Sequence, residues 1–421
     1  MINLQGKGHW FEMQNQKKQL NEKRLNISNS MFLVLIIMYT IAFNSSWRAV
    51  SWIWYGISIV TIFMLAYRVL QKGVIKLNFY TGWALSFFVY SLFGCLWALD
   101  ITPVLGQIKT LGLIFLVHIL LAQMINTKED VERLLKAIFI ALIIFLFYIL
   151  FKTDKTMLGK FRIGIDTLGS NWNANDVGMK LCIGFSLSLY FMLSDKSKIL
   201  QKIFYLLCAM FFMIIALFTG SRKAVFMLAI IFFLLFWFRA KKNRALVFLI
   251  LALVGIVFII LTMRIPALYD VLGSRMESLF KELMGYTTSE GSFDTRANMI
   301  KLGLEWFGER PIFGYGLNNF RVLYSEIGRA TYSHNNFIEM LISGGIVGFV
   351  IYYSAYVYLF TKLIKFAFTK RDSIAIILSV ICIALLILQV AMVSYYSTAD
   401  NVLIMLGIIY AKIRSEKNEN S

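Results

Sequence analysis

A 421-residue chain that is 59% hydrophobic, 16% aromatic and only 15% charged, with a mean hydropathy of +0.71, is neither a water-soluble domain, which carries about 25% charged residues, nor a disordered one. Its 3 prolines and 4 cysteines exclude a Pro-rich linker and a disulfide scaffold; Cys95, Cys182, Cys208 and Cys382 lie in apolar runs with no CxxC spacing, which leaves no zinc knuckle or redox pair. The net charge of +19 is spread as short clusters between apolar runs, the pattern that orients a polytopic protein rather than a nucleic-acid-binding patch.

The chain opens on a tail, residues 1–30, containing Lys17, Lys18, Lys23 and Arg24. No small-residue cleavage site follows a short apolar core, so the first span is expected to be retained. A bilayer core needs about 20 apolar residues per helix. That rule predicts twelve spans, near 31–47, 49–70, 77–99, 104–125, 132–151, 174–193, 199–219, 222–239, 245–263, 336–360, 373–394 and 400–412. The expected organisation is therefore a tail (1–30), spans one to nine (31–263), a large external loop (264–335), spans ten to twelve (336–412) and a second tail (413–421). An even number of spans puts both termini on one side. Clusters such as Lys196-Ser-Lys198 and Arg239-Ala-Lys-Lys-Asn-Arg244 mark that side as cytoplasmic.

Two external segments stand out, 152–173 and 264–335, and long loops are usually functional. The longer one is balanced, with eight basic and eight acidic residues. In Arg275 to Met284, the residues Met276, Leu279, Phe280, Leu283 and Met284 recur on one helical face, which suits a helix on the membrane surface or on the tops of the spans. A second loop helix is expected from Asp294 to Phe307, with Ala297, Ile300, Leu304 and Phe307 inward and Lys301, Glu305 and Glu309 wet. Arg296 then falls on the inward side, where a cation needs a partner, such as Asp294, or a ligand anion.

Polar residues at span boundaries are candidates for function. In Thr219-Gly-Ser-Arg-Lys-Ala-Val225, Arg222 stands at the outer end of a span; an arginine snorkelling to headgroups is the plain alternative. Of three histidines, His9 is in the tail and His118 inside a span, while His334 sits where the long loop re-enters the membrane. An imidazole of ordinary pKa near 6.5 can take a proton from a hydroxyl at neutral pH. The outer carboxylates Asp100, Asp154, Asp166, Asp294 and Asp400 are scattered, and no His cluster accompanies them, so neither a metal nor a cofactor is expected. Arginine binds phosphate through a bidentate fork without a metal. Gly314-Tyr-Gly316 is a turn signal whose backbone N–H groups are open to use.

These pieces, in order, resemble the O-antigen ligase and Wzy-type polymerase superfamily of bacterial envelope glycosyltransferases. The resemblance is carried by Arg162, Asn171-Trp-Asn-Ala-Asn175, Phe218-Thr-Gly-Ser-Arg222, Arg296, the Trp306 to Phe320 stretch with Pro-Ile-Phe-Gly-Tyr-Gly-Leu-Asn-Asn, and Ser333-His-Asn-Asn-Phe-Ile-Glu339 before Gly344-Gly345. It implies an all-α polytopic fold of the GT-C type and a donor of undecaprenyl pyrophosphate carrying an oligosaccharide. It also implies a growing polysaccharide as acceptor, metal-independent chemistry, and a place in the bacterial cytoplasmic membrane beside a flippase and a chain-length regulator. Residue by residue, Arg222 and Arg296 match the arginines that grip the pyrophosphate and His334 the histidine that serves the acceptor hydroxyl. Arg162, Asn175, Arg321 and Glu339 match supporting positions. A polymerase of capsule, O-antigen or exopolysaccharide is the favoured reading and a ligase moving the glycan to another acceptor the alternative. A flippase is the rival from another class, against which stands the lack of a repeat between the two halves.

Overall fold

The computed structural model describes residues 27–419, apart from 73–74, 155, 157–159, 169–171, 195–196, 241–242 and 285–291. Most of the predicted N-terminal tail, with His9, therefore lies outside the described residues, as do Lys196, Lys241, Lys242 and Asn171. Among the described residues the regular structure is helical throughout, with no strand. The protein is an all-helical, multi-pass membrane protein.

A helix lies in each of the twelve windows expected from hydropathy. Length and composition qualify six of them to cross a membrane, or seven if Phe248–Arg264 and Pro266–Ser278, bent by 97°, count as one broken span. The difference from twelve has a physical cause. Asn29–Phe43 and Ser373–Leu388 have 15 and 16 residues, so at about 1.5 Å per residue they fall short of the roughly 30 Å core. Ala174–Met192, Arg222–Arg239 and Thr398–Glu419 carry charges, among them Asp176, Lys180, Lys223 and Asp400. Ala174–Met192 and Thr398–Glu419, together with Ser373–Leu388, form the centre of the bundle. Residues 177–190, 374–382 and 398–411 are buried without a break, so they face protein rather than lipid. Ser51–Lys72 and Arg244–Arg264 lie at the periphery, exposing Phe63, Leu70, Leu249 and Leu253. Hydropathy identifies the helices that meet lipid better than those wrapped by other helices.

The bundle is built from neighbouring pairs. Ala174–Met192 packs along Ile199–Phe218, Asn29–Phe43 along Lys128–Lys152, and Arg222–Arg239 along Ser373–Leu388. After Arg264 the chain forms the helices Ser274–Leu283, Ser292–Glu309 and Phe320–Ser325. Ser292–Glu309 rests on Asn336–Tyr358, but its packed face keeps only Ile300 and Phe307 of the four residues expected to point inward. Ala297 and Leu304 are exposed, whereas Met299 and Gly303 are buried and Trp306 and Phe307 join the cluster of Tyr315, Phe320, Ile338 and Ile342. The pivot is Gly303, whose missing Cβ leaves room for Ile338. Arg296, Met299 and Gly303 then share one stripe, which turns Arg296 inward.

The Asn336–Tyr358 helix is broken at Gly345, where φ is 57° and ψ −163°, a conformation open to glycine alone. The 311–316 loop docks into the break. The N–H groups of Tyr315 and Gly316 donate to the carbonyls of Ile342 and Ser343 at 2.8 and 3.0 Å, and that of Ile346 to Pro311 at 2.8 Å. Two backbone donors of the Gly314-Tyr-Gly316 turn, those of Tyr315 and Gly316, are thus used to complete the broken helix, while that of Gly314 donates to the Arg310 carbonyl.

Candidate functional site

The turn between Ile199–Phe218 and Arg222–Arg239 gathers three motifs. Gly220 takes φ 59°, which a side chain would strain, and Ser221 caps the next helix by accepting from the Ala224 N–H at 3.3 Å. The Ser221 hydroxyl donates to Asn175 Oδ1 at 2.7 Å. Asn175 is in position because Trp172 is buried, stacked on Phe145 and Tyr148, and donates its indole N–H to Ser46 at 2.6 Å. From the other side Arg162 Nε donates to the Thr219 carbonyl at 3.2 Å. Arg222 donates from Nη1 to the carbonyl of Arg275 at 3.3 Å, tying the turn to the helix Ser274–Leu283.

His334 stands on a second turn. Its φ of 57° is uncommon for a residue with a Cβ and is held by its neighbours. The Ser333 N–H donates to Glu339 Oε2 at 3.0 Å and the Ser333 hydroxyl to the Asn335 carbonyl at 2.7 Å. Asn335 Oδ1 caps the following helix by accepting from Phe337 and Ile338 at 2.9 and 3.2 Å. Next in the chain, Asn336 Oδ1 accepts the N–H groups of Ser394 and Tyr395 at 2.9 and 3.1 Å. That contact draws the 393–397 turn to the same place. The His334 ring lies 4.2 Å from that of Tyr332.

Burial lowers the His334 pKa to about 4, helped by the positive charges of Arg296 and Lys223. The imidazole is therefore neutral at physiological pH and free to accept a proton. Burial also raises the Tyr332 phenol, against the pull of Arg296, so Tyr332 stays protonated. Arg296, Lys223 and His334, distant in the chain, thus lie within range of one another's charge.

Beside them opens a cavity of about 210 Å³, lined among others by Arg48, Asn175, Asp176, Lys180, Lys223, Tyr332 and Tyr396. Lys180, nearly buried, donates to Asp176 Oδ2 at 2.6 Å and to the Phe43 carbonyl at 2.9 Å. Of the residues singled out from sequence, Asn175 lines this cavity. Arg162 and Arg222 both act at the Thr219–Arg222 turn, which Ser221 ties to Asn175, and Arg296 and His334 lie within charge range of Lys223, which lines the cavity. Glu339 is buried under the His334 turn, while Arg321 is exposed, its charge attracting Glu339. Sequence reasoning took Lys223 only as the neighbour of Arg222 and passed over Asp176, Lys180 and Arg48. Asp176 and Lys180 were findable as an i,i+4 pair of ions inside an apolar run; nothing local distinguishes Arg48.

Residues 206–353 match the family described as O-antigen ligase, which supports the resemblance read from the motifs. The matched stretch contains Arg222, Lys223, Arg296, Arg321, His334 and Glu339, whereas Arg162, Asn175, Asp176 and Lys180 precede it. No curated protein matches the chain.

Proposed function

We propose that the protein is a glycosyltransferase that joins undecaprenyl-pyrophosphate-linked oligosaccharide repeat units at the outer face of the cytoplasmic membrane, a polysaccharide polymerase with twelve spans and both termini cytoplasmic. The observation that carries this reading is the meeting of Arg296, Lys223 and a neutral His334 beside a polar cavity, within and next to a segment matching the O-antigen ligase family.

In the reaction an acceptor sugar hydroxyl attacks the anomeric carbon of the donor. The bond from that carbon to the diphosphate oxygen breaks, its electron pair leaves with the diphosphate, and the hydroxyl proton passes to His334. Direct displacement inverts the anomeric configuration. Fixed cations at Arg222 and Arg296 stabilise the charge that grows on the leaving group without having to move. Arg296 and Lys223 also tune the base. Their charges oppose protonation of His334; the negative charge of a bound donor offsets that repulsion and lifts its proton affinity. The base thus gains strength when the donor is in place. Metal-independence follows from the resemblance and from the Arg–His character of the motif.

Purified protein given only lipid-linked repeat units is expected to yield ladders of polymer. His334→Ala protein is expected to elongate far more slowly, and elongation at the parental rate would remove His334 from the mechanism. The description of the matched family as O-antigen ligase favours a second reading, transfer of the glycan to a different acceptor. Product that forms only when such an acceptor is added would decide for it. Movement of labelled lipid across the membrane without new glycosidic bonds would decide for a flippase.

A further inference from the structure

The cavity holds more positive charge than its carboxylate can balance. Asp176 is committed to Lys180 at 2.6 Å. Lys223 is only 9% exposed and has Arg222 and Arg296 as charged neighbours. Arg48, with its guanidinium 5.9 Å from the Trp54 ring centre, has Lys180 and Tyr396 nearby. Among the described residues, neither Lys223 nor Arg48 has a carboxylate in salt-bridge distance. A cation withdrawn from water is stable when an anion meets it. The remaining lining is of another kind: the rings of Tyr332 and Tyr396 and the polar groups of Asn173, Asn175 and Ser397. Flat apolar faces flanked by fixed donors and acceptors suit a sugar ring. At about 210 Å³ the space is smaller than a site for a drug-sized ligand and takes one ring rather than a chain. Tyr332, 4.2 Å from His334, puts that ring next to the acceptor-side base.

From this juxtaposition we infer that the cavity is a subsite for one acidic saccharide residue, its anionic substituent meeting Lys223 and Arg48 and its ring lying against Tyr332. The inference rests on the glycosyl-transfer reading and names its substrate class: a repeat unit that carries a carboxylate or phosphate ester on a sugar beside the bond being made. A neutral residue there would leave both cations uncompensated.

The test is equilibrium binding to full-length protein in nanodiscs, with glucuronate, glucose and inorganic pyrophosphate as separate probes. Glucuronate is expected to bind about tenfold tighter than glucose, as a charge-assisted contact requires. Lys223→Met and Arg48→Met are each expected to weaken it about tenfold, while Lys223→Arg retains it. Equal binding of glucuronate and glucose by the parent protein overturns the subsite, whether or not the variants fold. So does glucuronate binding that both methionine variants leave unchanged. Binding of pyrophosphate but not glucuronate, lost in both variants, makes the cavity a diphosphate site and ends the inference. Elongation of lipid-linked repeats is read on the same samples. Ladders without a glucuronate preference sink the subsite and leave glycosyl transfer standing; glucuronate binding without product from any lipid-linked repeat does the reverse.

Discussion

The hydroxyl of Ser221 donates to Asn175 Oδ1 across 2.7 Å, joining two stretches of chain whose motifs were read separately. One carries the cations Arg222 and Lys223, the other the cavity residues Asn173, Asn175 and Asp176. The bond sets how the start of the Arg222–Arg239 helix faces the cavity. Replacing Ser221 by Ala removes both this bond and the helix cap, at about 1 kcal/mol. Thermal unfolding in detergent should show a lower midpoint, and elongation should fall further than that loss of stability explains, because Lys223 is no longer aimed.

His334→Ala is expected to lower turnover by about 10² to 10⁴, the range for removal of a positioned general base. Affinity for the lipid-linked donor should be kept, since the diphosphate is held by other residues. Turnover and donor binding measured on one preparation check this. A loss of binding with turnover intact would contradict the assignment.

The pH dependence follows from the direction of the His334 shift. A histidine whose pKa is lowered to about 4 is an active base above that pH and loses activity as pH falls through it. The acid limb of kcat/KM, which reports the free enzyme, should therefore lie near 4 rather than near 6.5. The limb of kcat should lie higher, because the negative charges of the bound substrate offset Arg296 and Lys223. Lys223→Met removes one repelling charge and should move the kcat/KM limb upward. A pH–rate profile in which the variant moves downward would refute the coupling.

Asp176→Asn leaves the nearly buried Lys180 without its carboxylate partner. Because the Asp176 side chain is 48% exposed, the cost is expected at about 2 kcal/mol, below that of breaking a fully buried pair. Lys180→Met should cost less, as it removes the buried charge and leaves Asp176 near water. The order of the two unfolding midpoints is the measurement, and the reverse order would count against the account.

Gly345→Ala tests the broken helix. With φ 57° and ψ −163° the position is strained for alanine, and a Cβ there meets the carbonyl of Ile312. A loss of about 3 kcal/mol is expected. Because the 311–316 loop docks at this break, the variant should expose that loop to protease. An unchanged cleavage pattern would show that the loop is held elsewhere.

Much of this was legible along the chain, because it depends on local composition. Long apolar runs announce a membrane bundle without any contact being known; Arg222 and His334 flank such runs where ions are costly, and Arg296 falls on the inward side of a loop helix. Their order and spacing pointed to the family that residues 206–353 match. Folding in three dimensions settled matters of another sort. A helix advances about 100° per residue, so which of Arg222 and Lys223 lines the cavity depends on the rotation of one helix against its neighbours, and it is Lys223 that does. The inward stripe of Ser292–Glu309 is set by the space at Gly303, which brings in Met299 and leaves the apolar Leu304 exposed. Two of the most buried helices, Ala174–Met192 and Thr398–Glu419, carry ions and are described poorly by hydropathy, since it measures affinity for lipid while they are surrounded by protein. Arg48, Asp176, Lys180 and Tyr332 converge because distant segments pack together, and no pattern confined to a short stretch of sequence records such packing.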